Sequence, residues 1–363
     1  MTAKALVALI LSACAYDTRF EDCTVRCTAD AECPVGLACK AEGLCRTPDA
    51  TETCARVLET PPSCAALAAV CGPNADEDCC STATPISGGT FFRSYDVASD
   101  GMYPSTSYPA TVSPFVLDKY EVTVGRFRSF VNAGAGTRVN PPTPGAGSRF
   151  LNDAPDQGGW AASWNENLAA DSSSLVAAVK CDVSFQSWTD VPAGNEDLPI
   201  SCVTWYEAFA FCVWDGGFLP TETAWNFAAA GGSEQRAYPW SSPAGSTTID
   251  CSYANYHNDT NSCVNQPNGA VNRVGSESPK GDGKWGQSDL AGNVWEWTLD
   301  WYASPYGNPC PDCANVTPAT FRVFRGGYFN AGATLLRAGG RGDFFTPTTR
   351  NYSFGVRCAR PVP

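Results

Sequence analysis

Histidine is nearly absent from this chain, with one in 363 residues. A histidine facial triad needs two, and no motif supplies His257 with the positioned partner of a Ser-His-Asp or Cys-His arrangement. A lone histidine could still act as a base near neutral pH, yet its setting in Asn255-Tyr-His-Asn-Asp-Thr260 reads as an ordinary loop. Positive charge is also scarce: 24 Lys and Arg stand against 37 Asp and Glu, and 24 − 37 gives −13. That balance repels phosphate backbones and anionic headgroups, which excludes nucleic acid as a partner. Only 17% of residues are charged, and 33 glycines, 27 prolines and 11 tryptophans describe a loop-rich globular fold in which periodic helix is rare. The chain is long enough to bury one large core and carry a smaller module.

The N-terminus has the order of an export signal, with Lys4 ahead of a short apolar stretch over residues 5–11. Seven apolar residues cannot span a bilayer. Leu11-Ser12-Ala13-Cys14 resembles a bacterial lipobox, which implies residues 1–13 as signal peptide, lipidation of Cys14 and membrane attachment through the lipid anchor; ordinary secretory cleavage nearby is the alternative. Ala15 lacks the aspartate that often retains lipoproteins at the inner membrane, so an outer membrane or cell-surface location is expected. Setting Cys14 aside leaves 18 of the 19 cysteines, an even number suited to disulfides in an oxidising compartment. Ten of them fall within residues 23–80, where apolar residues are too few for a core. Residues 14–80 therefore read as a disulfide-rich module, 81–88 as a linker, and 89–363 as the main domain.

Helix signals in the main domain are few but well capped. Thr123 precedes a segment with Phe127, Phe130 and Val131 on one face; Thr204-Trp-Tyr-Glu207 is a capping box ended by Gly216 and Gly217; and a third helix starts at Thr221 and stops at Gly231-Gly232. Residues 133–200, rich in Gly, Pro and Ser, form a long excursion carrying Trp160, Trp164 and Trp188.

Several phrases carry a resemblance: Leu219-Pro-Thr-Glu-Thr-Ala-Trp225, Ser288-Asp-Leu-Ala-Gly-Asn-Val-Trp-Glu-Trp297, Arg325-Gly-Gly-Tyr-Phe-Asn330 and Phe354-Gly-Val-Arg-Cys-Ala-Arg360. In this order they closely resemble the sulfatase-modifying factor family, which includes the formylglycine-generating enzymes. The resemblance implies an α+β, loop-rich irregular formylglycine-generating-enzyme fold related to C-type lectin-like domains. In those enzymes two cysteines, five positions apart after the arginine-glycine-glycine segment, bind copper(I) and the substrate thiol. Counted without gaps, the positions here are Ala331 and Leu336, and no cysteine occurs between Cys313 and Cys358. Neither side chain offers the thiolate that copper(I) prefers, so no catalytic residue is assigned and copper is not expected.

The resemblance also implies a structural calcium site formed by the side chains of Asp289 and Glu296 with the carbonyls of Gly292 and Val294, hard oxygens of the kind calcium takes. The alternative is that Asp289 caps a turn and Glu296 pairs with an arginine. A second family site would use Asn255 and Tyr256, but its acidic partner is not identifiable downstream. A family disulfide is implied for Cys212 and Cys358; Cys181 with Cys202 and Cys251 with Cys263 are then the economical local pairings. Cys310-Pro-Asp-Cys313 sits among prolines and glycines rather than between a strand and a helix, and reads as a loop-closing disulfide. What remains of the groove is a rim of Trp297, Arg325, Tyr328, Asn330, Arg337 and Arg341, suited to a carboxylate, peptide or glycan. The arginines could equally be internal struts, as could Arg357.

The expected protein is thus a lipid-anchored extracytoplasmic binding module for a peptide, glycan or envelope protein, lacking formylglycine-generating activity. Two alternatives stand beside it, an oxidase acting on protein cysteine through other ligands and a structural envelope protein.

Overall fold

Three short helices are set by their caps. In α1 (Val124–Asn132) the Thr123 hydroxyl accepts from the Arg126 amide, and the buried face carries Phe127, Phe130 and Val131. In α3 (Trp205–Trp214) Thr204 and Glu207 close a reciprocal capping box. In α4 (Glu222–Ala229) Thr221 accepts from the Ala224 amide, and Gly231 lies in the left-handed region just beyond. These belong to a computed structural model that describes residues 38–39, 45–46, 48, 60–65, 67–148, 158–258, 262–264 and 270–362. The expected signal peptide, Cys14 and the cysteines from Cys23 to Cys33, with Cys54, lie outside the described residues.

The chain divides into a unit comprising Met1–Glu59 with Pro363 and a larger unit, Thr60–Val362. In the first, only an antiparallel pair, β1 (Ala38–Cys39) with β2 (Cys45–Arg46), is described. In the second, β6 (Trp295–Trp301) runs antiparallel to β7 (Arg322–Arg325) and parallel to β9 (Phe354–Gly355), with β8 (Gly342–Phe345) on the far side of β7. Two further pairs, β3 (Gly89–Phe92) with β4 (Pro109–Val112) and β5 (Phe115–Leu117) with β10 (Ala359–Pro361), complete the strands. Among the described residues no helix is long and apolar enough to cross a membrane.

The main core is aromatic. Phe127, Phe130 and Phe211 join α1 to α3, while Trp205, Trp297, Phe324 and Phe354 join α3 to the four-stranded sheet. Trp160 and Trp188 from the long excursion are buried in the same cluster. The excursion is not continuous loop: α2 (Ser172–Ala178) is capped by Asp171, whose carboxylate accepts from the Ser174 amide. Its serine-led start and two turns leave only a short apolar pair, Leu175 and Val179, so the Asp171 cap is the main mark of it in the sequence.

Residues 60–80, grouped by cysteine density with the 14–80 module, pack in the larger unit instead. Cys64 bonds to Cys80 and Cys71 to Cys79. The Ser63 amide donates to Asp215 at 3.0 Å, and its hydroxyl accepts from Arg126 at 3.0 Å. Asp118, Arg126, Asp215 and Arg360 then form a buried quartet with ion pairs of 2.5–3.0 Å. Burial alone would raise the Asp118 carboxyl, but Arg360 and Arg126 outweigh it and hold it below the usual carboxylate range.

Candidate functional site

Ala331 and Leu336 are packed, not poised. Ala331 is 2% exposed and Leu336 0%, and both belong to an apolar cluster with Tyr238, Ala254, Tyr256 and Ala291. Gly327 at φ +81° approaches so closely that an added Cβ would lie 2.6 Å from Leu336 Cδ1. The leucine side chain thus fills the space under the turn that follows β7. The cysteines of the main domain are all bonded, as Cys181–Cys202, Cys212–Cys358, Cys251–Cys263 and Cys310–Cys313. Among the described residues of the larger unit every cysteine is bonded, so none there offers a thiol to a soft metal ion.

The rim residues divide. Trp297 is fully buried, stacks on Phe354 at 4.4 Å and donates to the Val203 carbonyl, so it is core and faces no ligand. Arg325 pairs with Glu222 at 2.7 Å and donates to the carbonyls of Ala338 and Gly340. Arg341 reaches the other oxygen of Glu222 at 2.8 Å. Arg337 bridges Asp96 and Asp100 at 2.7 and 2.6 Å. These three arginines act as struts that tie loops together. Glu222 is buried, which by itself would raise its pKa, but Arg341 and Arg325 hold it low. Burial and the nearby Glu222 push Asp300 up to about 6. Tyr328 and Asn330 remain half-buried; the Tyr328 ring meets buried Phe329 at 5.5 Å, which in turn meets the half-buried rings of Phe185 and Tyr352, tilted against each other at 4.7 Å. The open part of the rim is therefore aromatic and polar, and its one half-buried arginine, Arg341, is already paired with Glu222.

The 289–296 turn fits a hard cation at one end only. Glu296 has its charge met: Arg357 donates to it at 2.8–3.2 Å, and Trp225 Nε1 donates at 2.6 Å. Arg357 also donates to the carbonyls of Asp118, Lys119 and Ser288. Asp289 has no such cation: it sits at φ +60° and accepts the Gly275 amide at 2.6 Å. Burial pushes it up to about 6, while burial and then Asp289 raise Glu277 to about 8. Glu121, also buried, is raised by desolvation and by the carboxylates of Asp289 and Glu296. Glu277 Oε2 and Asn255 Oδ1 are buried without a partner. This surplus of buried negative charge and unpartnered oxygen suits an added cation. Among the described residues no three acidic, histidine or cysteine side chains converge on one point, so such an ion would draw on carbonyls such as those of Gly292 and Val294. At the second position, Asn255 Nδ2 is committed to the Ala270 carbonyl and Asn293 Oδ1, and residues 259–261 and 265–269, from which its acidic partner would come, lie outside the described residues.

The sulfatase-modifying factor enzyme 1-like domain family matches residues 69–362. The chain belongs to it. Among family relatives, a formylglycine-generating enzyme of Thermomonospora curvata is 27% identical over 304 residues, covering 76% of this chain and 91% of that protein. An inactive Cα-formylglycine-generating enzyme 2 of Mus musculus is 28% identical over 306 residues, covering 76% and 84%. The structure of PvdO from Pseudomonas aeruginosa overlays with a TM-score of 0.51 at 18% identity, over 77% of this chain and 93% of that one, and shares the fold.

Within this member of the family, the sequence reading missed Glu222, which organises two rim arginines, and Glu121, whose carboxylate accepts from Asn293 Nδ2 and the Val294 amide. Neither has a local motif beyond the helix-start position of Glu222. The reading also missed Arg93, which reaches Cys313 from 220 positions away.

Proposed function

We propose that this chain is an exported, lipid-anchored member of the sulfatase-modifying factor family that binds a peptide, glycan or envelope protein and lacks formylglycine-generating activity. One observation carries the reading: the two positions expected to hold thiols are an alanine and a leucine sealed in an apolar cluster. A relative described as inactive supports it. Incubation of the full chain with copper(I), oxygen and a Cys-x-Pro-x-Arg peptide is expected to give no aldehyde by mass spectrometry. Peptide aldehyde accumulating over several turnovers would refute the proposal. Ligand contact falls to the half-buried side chains Tyr328, Asn330, Phe185 and Tyr352, so saturable binding on a peptide or glycan panel should weaken in Tyr328→Ala.

A structural calcium ion at Asp289 is part of the same proposal. Millimolar calcium is expected to raise Tm by a few degrees, as binding to the native state alone must. Asp289→Asn should abolish the rise. A calcium response that survives this substitution would move the ion elsewhere.

A further inference from the structure

The disulfide between Cys310 and Cys313 closes a four-residue loop held to the edge of β4, where the Thr111 amide donates to the Cys310 carbonyl and the Asp312 amide to the Thr111 carbonyl. Its two sulfurs are unequal. Cys310 is 3% exposed, whereas Cys313 is half-buried, so an incoming nucleophile meets Cys313. Arg93 Nη1 donates to Cys313 Sγ at 3.5 Å, while Nη2 holds the Gly307 carbonyl and Asn308 Oδ1, each at 2.7 Å. Its guanidinium lies 4.5 Å from the Tyr306 ring centre, and the residue is 3% exposed. Among the described residues no carboxylate lies within ion-pair distance of Arg93, a buried cation whose polar contacts include a sulfur. The Thr223 hydroxyl lies 3.6 Å from both sulfurs. Thr223 and Asp312, which adjoin the pair, also line a small, mostly apolar cleft with Val112, Phe115, Phe218 and Ala224. The sequence offered no strand and helix to frame this pair, but the fold supplies a cation by a different route.

We propose that Cys310–Cys313 is an exchange-competent disulfide that oxidises a vicinal dithiol of an exported protein, with Cys313 as the attacked sulfur and Arg93 as the residue that holds its thiolate. A partner thiolate attacks Cys313 Sγ; the Cys310–Cys313 bond breaks, and its electron pair passes to Cys310, which takes a proton. The partner's second thiolate then attacks the partner sulfur of the mixed disulfide. The electron pair returns to Cys313, which departs as a thiolate beside Arg93. The partner loses two electrons and two thiol protons, one proton going to Cys310 and the other to solvent. A cation next to the departing sulfur favours that step by lowering the thiol pKa.

The full chain mixed with a reduced Cys-x-x-Cys peptide provides the test. Peptide disulfide should appear one-for-one with new thiols at Cys310 and Cys313, mapped by alkylation and mass spectrometry, while Cys212 and Cys358 stay unlabelled. In Cys310→Ser, Cys313 should alkylate at a lower pH than an ordinary cysteine. Arg93→Gln in that background should move the profile up by about one pH unit, roughly tenfold in rate near neutrality, and Arg93→Lys should restore most of it. A pair reduced no faster than Cys251–Cys263, or a Cys313 profile indifferent to Arg93→Gln, overturns the proposal. Should Arg93→Gln fail to fold, an ordinary cysteine profile in Cys310→Ser alone overturns it.

Discussion

Asp215→Ala is expected to destabilise the larger unit by roughly 3–5 kcal/mol, the cost of removing one partner from a buried charge network. Asp215 is fully buried and holds Arg126 at 2.5 Å, Arg360 at 2.8 Å and the Ser63 amide at 3.0 Å. Its loss leaves three donors without their acceptor, and Asp118 alone cannot neutralise both guanidiniums. The urea midpoint of the variant, read by tryptophan fluorescence, measures the effect. Asp190→Ala, which removes an exposed partner of Lys180, serves as the control and should leave that midpoint unmoved. If the two substitutions behave alike, the quartet does not hold the domain.

Removal of the Cys212–Cys358 disulfide by paired serine substitutions should cost about 5 kcal/mol, from the chain entropy released when a loop of this length opens. The bond joins residues 146 positions apart, linking α3 to the segment just before β10. The Cys251–Cys263 bond spans only 12 positions, and on the same footing its loss should cost about 3 kcal/mol. Comparing the urea midpoints of the two double variants tests the order. Equal losses would mean that the long bond constrains the unfolded chain no more than the short one does.

Much of the helical framework was legible because caps are local. The hydroxyls of Thr123, Thr204 and Thr221 sit three residues before the amides they accept from, so a short window contains the whole signal. In the 289–296 turn Glu296 pairs with Arg357, the pairing that stood as the alternative, while Asp289 accepts the Gly275 amide. Glu296 and Arg357 are 61 positions apart, and nothing near either residue announces the other. The sheet was hidden for the same reason. Strand β9 lies parallel to β6 through only two register pairs, Trp295 with Phe354 and Glu296 with Gly355, too short a contact to leave a pattern in the sequence. The roles of Arg325, Arg337 and Arg341 depended wholly on whether acids from distant segments arrived beside them. Glu222, Asp96 and Asp100 did.

The attachment of Ser63 to Asp215 and Arg126 bears on where the polypeptide can be cut. A fragment started at residue 81 or 89, where the cysteine spacing changes, would bare a charged cavity at the base of α1 and lose two disulfides. One started at Thr60 keeps that surface covered, and should be the shorter piece that still crystallises.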